Sequence, residues 1–205
     1  MTVAPVRSAR PVKAMEQGHL DSLCGVYSVV NAVRWVLGGN PPKMSAEDLF
    51  ATVIGWLEWR AGAAEALTAG VEPKILWRVV VSALDDLRKE NGVTIKADRP
   101  FARRRRLTAA EVHQTLAREF NASTAGIAYV VVFSGRLNHW SVVRGVTLTS
   151  FLLFDSCGHS RVAVDRCRMD GEAGGARDCP HVLEAAGIIR LARQADGSAT
   201  AKSQP

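Results

Sequence analysis

The sequence has no apolar run long enough to cross a membrane, which needs about 20 residues. Its apolar runs, such as the one from Ile127 to Phe133, stop far short of that length. The first fifteen residues mix prolines with Arg7, Arg10 and Lys13 and lack the apolar segment of a secretion signal. We therefore expect a cytoplasmic protein without a membrane span.

Cysteine is also scarce, with four residues in a chain of 205. So few cysteines do not make a disulfide framework, and reduced thiols are expected in the cytosol. Low-complexity tracts and internal repeats are absent as well. The remaining composition, 47% hydrophobic and 22% charged, is typical of a globular chain that fits one domain.

Acidic residues are fewer than basic ones, and the net charge is +6. Part of this charge comes from the run Arg103-Arg104-Arg105-Arg106. Such a run can bind phosphates, but aromatic and glycine residues do not interleave it as they do in nucleic-acid-binding segments. We interpret it as a solvated connector and do not expect nucleic acid as the main partner.

Helical periodicity dominates the first 120 residues. A first helix is expected to start after a cap at Asp21 or Ser22, with Cys24 in its first turn and a stop at Gly38. Three more are predicted, each with a boundary signal. They run from Ser45 to near Gly62, from Glu72 to Asn91, and from Thr108 to about Glu119.

After Asn121 the pattern changes to β-branched residues with a period of two. A short strand is expected earlier, from Val93 to Lys96. The five predicted later strands are Ile127 to Phe133, His139 to Val146, Phe151 to Phe154, Arg161 to Val164 and Gly187 to Leu191. Helices before strands indicate an α+β fold with helices on one side of an antiparallel sheet.

The predicted organisation is a single domain over 17–192, with a helical part over about 17–120 and a sheet part over about 126–192. Residues 1–16 are expected to form a flexible arm, 193–205 a disordered tail, and 166–181 an excursion loop. Two further predictions concern single side chains. Trp35, Trp56, Trp59 and Trp77 are expected to pack between helices. His113 is expected on a helix surface.

Cys24 lies where the free N–H groups and the dipole of a helix start stabilise an anion. Most lone cysteines in a core are inert, but two neighbours favour a reactive thiol here. Gly25 leaves room for a substrate backbone beside the sulfur. Gln17, seven positions earlier, can return its side-chain amide to the sulfur and form an oxyanion hole with the Cys24 backbone N–H.

His139 and Asp155 are sixteen positions apart, a separation that matches neighbouring strands of a hairpin. A lone histidine at a strand edge is more often structural than catalytic. A carboxylate beside it, however, would orient the imidazole and stabilise its protonated form, as the third member of a catalytic triad does. Together with Cys24, the pair predicts nucleophilic thiol chemistry.

These segments resemble a known family. Gln17 through Ala32 resembles the nucleophile segment of papain-like cysteine peptidases, and Asn138-His139 with the valine-rich strand after it resembles their histidine segment. In length and motif pattern the chain is similar to the bacterial peptidase domain that cuts double-glycine leader peptides from bacteriocin precursors. The resemblance implies a papain-like α+β fold with an N-terminal helical part and a C-terminal antiparallel β-sheet. In such a fold the central nucleophile helix of the helical part packs on the sheet, and the sheet presents His139 across a cleft.

The chain also departs from that pattern. The gap between Gln17 and Cys24 is one residue longer, Leu23 replaces an acidic residue, and Ser156 replaces the proline that usually follows the aspartate. The segment from 40 to 125 matches no family pattern. We predict a cysteine peptidase that hydrolyses a peptide or isopeptide bond in a protein or peptide substrate. Two alternatives stay open: a deamidase or acyl transferase with the same thioester chemistry, and a binding module that has lost turnover.

Five flanking residues are expected to contact the substrate: Gly25, Asn138, Trp140, His19 and His159. A metal site built from the late residues is a further alternative; these are Cys157, His159, Cys167, Cys179 and His181. Their spacings do not follow the paired ligands of structural zinc sites. We therefore predict no metal and no cofactor, and we predict no particular oligomeric state.

Overall fold

The computed structural model describes residues 12–18, 21–104, 106–172 and 179–194. Its α-helices are α1 Cys24–Leu37, α2 Ala46–Ala61, α3 Ala63–Ala69, α4 Pro73–Asn91 and α5 Ala109–Ala122. Its strands are β1 Ile95–Asp98, β2 Ile127–Gly135, β3 His139–Val146, β4 Ser150–Leu153, β5 Arg161–Ala163, β6 Cys167–Met169, β7 His181–Leu183 and β8 Ile189–Arg193. The predicted α+β class is confirmed. None of the described helices is both long enough and apolar enough to cross a membrane.

The eight strands within the described residues form one sheet whose main order is β1-β8-β2-β3-β4-β5. The run from β2 to β5 is an antiparallel meander, as predicted. The last strand departs from it, because β8 returns to pair with both β1 and the first half of β2. The predicted excursion loop, 166–181, contains β6 and the first residue of β7. Strand β7 pairs with the second half of β2, and β6 pairs with β7 in parallel.

Both faces of the sheet are covered, so the prediction of helices on one side only is wrong. Apolar residues of α1, α2 and α4 pack on one face together with Ala128, Val130 and Val132 of β2. Residues of α5 pack on the opposite face with the alternate β2 residues, which include Tyr129 and Val131. This arrangement explains why β2 is apolar without interruption, since successive side chains of a strand leave opposite faces.

Helix α1 is the central element of the first core. Val26, Val29, Val30 and Val33 of α1 are buried almost completely. The helix contacts the sheet closely at its C-terminal end, where a Cβ on Gly126 would lie 1.9 Å from the carbonyl oxygen of Val36. Packing of this kind fixes the helix, and with it the first-turn residues, relative to β2 and β3.

The start of α1 differs from the prediction by one or two residues. Leu23 occupies the N-cap position and makes no side-chain cap. Asp21, predicted as a cap, instead accepts a hydrogen bond from the Leu23 backbone N–H at 3.0 Å, ahead of the helix. Ser22, the other predicted cap, is tied to α3 by a backbone bond from its N–H to the Leu67 carbonyl at 2.9 Å.

The other helices follow the predictions closely. The Ser45 capping box with Asp48 is present in full, and α4 begins with Pro73 in its first turn and ends before Gly92. Helix α3 was not predicted, although its alanine-rich sequence has high helix propensity. Strand β1 is displaced from the predicted range by two residues.

Two predictions about aromatic side chains need correction. Trp56 does link two helices, because its Nε1–H donates to Asp86 of α4 at 2.6 Å. Trp59, however, is 68% exposed. Trp35 packs on Phe154, directly after β4, with ring centroids 5.2 Å apart, so its ring contact is with the sheet side.

His113 is not a surface residue of its helix. It is 8% exposed, its Nε2 lies 2.9 Å from the Thr147 carbonyl oxygen, and its ring packs edge-on against Phe151. The reason is the orientation of α5, which turns its apolar face, including Val112 and Leu116, toward the sheet. His113 lies on that same face.

A segment before α1 connects the helical and sheet parts. The Met15 backbone N–H donates to Asn31 of α1 at 2.7 Å, and the Asn31 side-chain amide donates back to the Met15 carbonyl at 3.1 Å. Two residues later, the Gln17 backbone N–H donates to the Ser156 carbonyl at 3.0 Å. Residues 15–17 therefore bridge α1 and the loop that follows β4.

Candidate active site

Three side chains converge where the first turn of α1 meets the start of β3 and the end of β4. They are Cys24, the first residue of α1; His139, the first residue of β3; and Asp155, two residues after β4. The Val143–Leu153 register of β3 and β4, continued by the bond from the Phe154 N–H to the Val142 carbonyl, brings the last two together. The structure thus assembles the predicted His139–Asp155 pair across two neighbouring strands.

His139 and Asp155 form a buried hydrogen bond. Nε2 of His139 lies 2.9 Å from Oδ2 of Asp155. The carboxylate accepts, so Nε2 carries the hydrogen, and Nδ1 is left for a second partner. The imidazole is largely buried and the Asp155 side chain is 0% exposed, which strengthens the interaction between the two groups.

The carboxylate of Asp155 is held by its own loop. Its Oδ1 accepts the backbone N–H groups of Cys157 at 2.8 Å and His159 at 3.1 Å. Ser141, two residues along β3 from His139, has a fully buried hydroxyl that makes no standard hydrogen bond among the described residues, yet it lies near enough to the carboxylate to act on its charge. These groups orient Asp155 toward the imidazole.

The electrostatics favour a charged pair. Burial by itself would raise the pKa of Asp155, but the hydrogen bond from His139, the nearby hydroxyl of Ser141 and the positive charge of His139 hold it below its ordinary value. For His139, burial would lower the pKa, but the bonds to Asp155 and Cys24 and the negative charges of both raise it to about 9. The raised pKa favours the protonated imidazole.

Cys24 has two alternative contacts. Its sulfur lies 4.0 Å from the Ser22 carbonyl oxygen, to which the thiol can donate. Its side chain also lies close enough to His139 to contribute to the raised pKa of the imidazole. A thiolate has no hydrogen to donate to Ser22, so ionisation leaves the sulfur as an acceptor for the imidazolium alone.

Gln17 reaches the site but is engaged with other residues. Its side-chain amide donates to the backbone carbonyl of Asp21 at 2.7 Å and to the Asp21 carboxylate at 3.0 Å. Its Oε1 accepts the Cys157 thiol at 3.7 Å. The predicted oxyanion role of Gln17 requires the amide to leave Asp21, and it stays a prediction.

Gly25 and Trp140 lie in the core. A Cβ on Gly25 would meet Trp140 at 3.3 Å and Leu76 at 3.4 Å, so the glycine lets α1 approach β3 and α4 closely. The Trp140 ring is buried, and its Nε1–H donates to the Val71 carbonyl at 2.9 Å. In this structure both residues pack the interior, away from the surface that a substrate would reach.

Asn138 and His159 lie on the exposed side of the site. Asn138 adopts a left-handed backbone conformation, with φ of 43°, directly before His139, a conformation that asparagine tolerates better than most residues. The His159 ring lies edge-on to the His139 ring at 5.8 Å. Both residues are exposed, and their substrate contacts stay predictions, whereas His19 lies outside the described residues.

The late cysteine and histidine residues do not gather into one site among the described residues. Cys157 instead joins a different group: its sulfur, a ring nitrogen of His139 and a carboxylate oxygen of Asp155 all lie within 4.8 Å of one another. Cys167 lies opposite His181 in the β6–β7 register, away from this group.

No protein-family model and no curated protein matches the chain. The candidate site therefore rests on its geometry. Sequence reasoning missed two of its residues, Asp21 and Ser141. Asp21 carries a signal, because an aspartate just before a helix commonly bonds the backbone two residues later. The position of Ser141, two residues from His139 on one strand, carries a weaker one.

Proposed function

We propose that the chain is a papain-like cysteine peptidase that hydrolyses a peptide or isopeptide bond. The observation that carries this proposal is the hydrogen bond between the imidazole of His139 and the buried carboxylate of Asp155, beside a cysteine at a helix start. A nucleophile, a base and an orienting acid in this order are the parts that thiol-based acyl transfer requires.

In the proposed reaction the Cys24 thiolate attacks the scissile carbonyl carbon, and a C–S bond forms while the carbonyl π electrons move to oxygen. Nδ1 of His139 then gives its proton to the leaving nitrogen as the C–N bond breaks. A water molecule, losing its proton to the same Nδ1, attacks the thioester. The C–S bond breaks and the thiolate is regenerated, while Asp155 holds the ring orientation throughout.

The arrangement of the elements supports the papain-like part of the proposal. A buried central helix carries the nucleophile, and an antiparallel sheet carries the histidine. Among papain-like groups, the resemblance to the bacterial domain that cuts double-glycine leader peptides suggests the first substrates to assay. Asn138 and His159, exposed beside His139, are the proposed substrate contacts.

Alkylation tests the nucleophile without a known substrate. An ordinary thiol with a pKa of about 8.5 is about 0.3% ionised at pH 6, so a preformed thiolate would react up to about 100-fold faster with iodoacetamide. We expect Cys24 to be modified well ahead of Cys157, Cys167 and Cys179, as measured by mass spectrometry of the digested protein. Burial raises the pKa of Cys167 to about 12 and also raises that of Cys157, so both are suitable internal references.

Cleavage of a peptide panel that includes double-glycine sequences tests the reaction. Cys24→Ala should abolish cleavage, and the matched variant Cys179→Ala should retain it. Unchanged cleavage by Cys24→Ala would refute the proposal. Weighing the products with and without an added amine acceptor separates hydrolysis from the deamidase or acyl transferase alternative.

One observation favours a second candidate, a papain-like domain that binds partners without turnover. The Gln17 amide is bonded to Asp21, which leaves the proposed oxyanion hole with the Cys24 backbone N–H alone. Removing one side-chain oxyanion donor costs about 10²–10³ in rate. Binding of a partner that is equal for wild type and Cys24→Ala, with no product by mass spectrometry, would support this candidate.

A further inference from the structure

Cys157 lies at the candidate active site, but the proposed hydrolysis does not use it. The residue is exposed, and its thiol donates to Oε1 of Gln17 at 3.7 Å. Its sulfur also lies within 4.8 Å of a ring nitrogen of His139 and an oxygen of Asp155. A second thiol therefore lies beside the histidine–carboxylate pair.

Sulfur, imidazole nitrogen and carboxylate oxygen are the three donor types that bind Zn²⁺ in proteins. Around a tetrahedral zinc ion, with bonds of about 2.0–2.3 Å, neighbouring donor atoms are about 3.3–3.7 Å apart. The three atoms here need an adjustment on the order of 1 Å to reach that spacing. Cys157 can bring its sulfur to that spacing by rotating its exposed side chain. Nε2 of His139 and Oδ2 of Asp155, which are 2.9 Å apart, must separate by about 0.5 Å.

The surroundings also suit a metal site. Ligating carboxylates and histidines in proteins are oriented by hydrogen bonds from outside the ligand set. Asp155 already has them, because its Oδ1 accepts two backbone N–H groups and leaves Oδ2 on the side of His139. The contact from the Cys157 thiol to Oε1 of Gln17 is lost on binding, because a thiolate has no hydrogen to donate.

We propose that Cys157, His139 and Asp155 form a site for Zn²⁺, with water as the fourth ligand. Binding releases the thiol proton of Cys157 and one ring proton of His139 to solvent, because zinc ligands are deprotonated. The metal occupies the space between Nε2 and Oδ2 and replaces their hydrogen bond. An imidazole bound to zinc no longer forms an imidazolium for Cys24, so the metal inhibits the thiol reversibly. The inhibition rests on the proposed function, whereas the binding does not.

Zinc binding is measured on the full chain by competition with a chromogenic chelator, in excess Mg²⁺ to occupy sites made of oxygen alone. We expect one Zn²⁺ per chain for wild type and at least about ten-fold weaker binding for Cys157→Ser. Cys24→Ser should bind within about two-fold of wild type, since Cys24 is not a ligand. Co²⁺ should give a thiolate charge-transfer band that Cys157→Ser lacks.

Zn²⁺ should also protect Cys157 of the wild-type protein from iodoacetamide, which tests the site even if Cys157→Ser does not fold. Equal zinc binding by Cys157→Ser and wild type, or no protection of Cys157, would overturn the proposal. Loss of binding in Cys24→Ser but not in Cys157→Ser would also overturn it, by placing the metal on the nucleophile.

The inhibitory effect has a separate readout, the rate of Cys24 alkylation at pH 6 with and without Zn²⁺. We expect a fall of about ten-fold or more in wild type, and a smaller fall in Cys157→Ser relative to its own metal-free rate. An unchanged rate at saturating Zn²⁺ would refute inhibition. If Cys24 is unreactive even without metal, the proposed function fails, and the binding data still decide the zinc site.

Discussion

Replacing Asp155 by asparagine isolates the contribution of one carboxylate to the candidate site. Asparagine keeps the shape of the side chain and an oxygen that can accept the backbone N–H groups of Cys157 and His159. It removes the negative charge that lies 2.9 Å from Nε2 of His139. The variant therefore changes the electrostatics of the imidazole more than the packing around it.

The size of the effect follows from the pKa of His139, which is raised to about 9 although burial acts to lower it. An opposite charge at hydrogen-bonding distance raises the pKa of its partner by about 1–3 units. Without Asp155 the pKa of His139 should fall by that amount, which corresponds to about 1.4–4 kcal/mol of lost interaction with the imidazolium. Cleavage, once a substrate is known, should fall by about 10²–10⁴, the usual contribution of acid–base catalysis.

NMR titration of the histidine ring protons measures the pKa directly, with a chelator present to exclude metal ions. His139→Gln assigns the resonance by its disappearance. Asp165→Asn, at an exposed aspartate outside the site, is the matched control and should leave the His139 titration unchanged. A His139 pKa in Asp155→Asn that stays within a few tenths of wild type would refute the role given to the carboxylate.

Three further predictions concern stability, measured by urea unfolding. Because the pKa of His139 is raised in the folded state, its stabilising effect should be complete below about pH 6.5 and lost as pH rises through about 9. The free energy of unfolding should fall by on the order of 2 kcal/mol over this range after screening, and Asp155→Asn should make the fall smaller. Gly126→Ala should cost about 3 kcal/mol or more, since its Cβ would overlap the Val36 carbonyl oxygen. Gly55→Ala, at an open position of α2, should instead stabilise the protein by about 0.5–1 kcal/mol. Equal effects of the two substitutions would contradict the close contact at Gly126. Ser45→Ala should cost about 1 kcal/mol by removing the α2 cap, and no change in the urea midpoint would show that the cap is unimportant.

Local signals in the sequence predict the helices well. The capping boxes at Ser45 and Thr108 and the glycine stops at Gly38 and Gly92 are each formed by residues within a few positions of one another. Such interactions do not depend on the rest of the fold, so a local pattern is sufficient to find them.

Predictions failed where the outcome depends on contacts distant in sequence. Strand β8 pairs with β2 more than fifty residues away, and no local pattern specifies that partner. The second covered face of the sheet was not predicted for a different reason. The uninterrupted apolar run of β2 indicates burial on both faces, whereas the period-two pattern of the region as a whole indicates burial on one face. His113 belongs to the same error, because its side of α5 is apolar only if a second layer exists.

In the candidate site too, local signals predict some features, and contacts between distant residues decide the others. The spacing of His139 and Asp155 predicts their pairing, because a hairpin fixes which residues become neighbours. The rotamer of Gln17 could not be predicted, since it depends on competition between Asp21, Cys157 and the nucleophile. Cys157 was assigned with the late cysteines by sequence proximity, whereas the turn after β4 carries it toward His139.

The bridge formed by residues 15–17 has a practical consequence. Its hydrogen bonds join Met15 to Asn31 in the nucleophile helix and Gln17 to Ser156 in the loop that carries Asp155. A mechanical load applied upstream of Met15, such as a bulky fusion partner or a surface tether, would be transmitted to the thiol and the carboxylate at once. Immobilisation for binding or single-molecule work should therefore use the segment after β8.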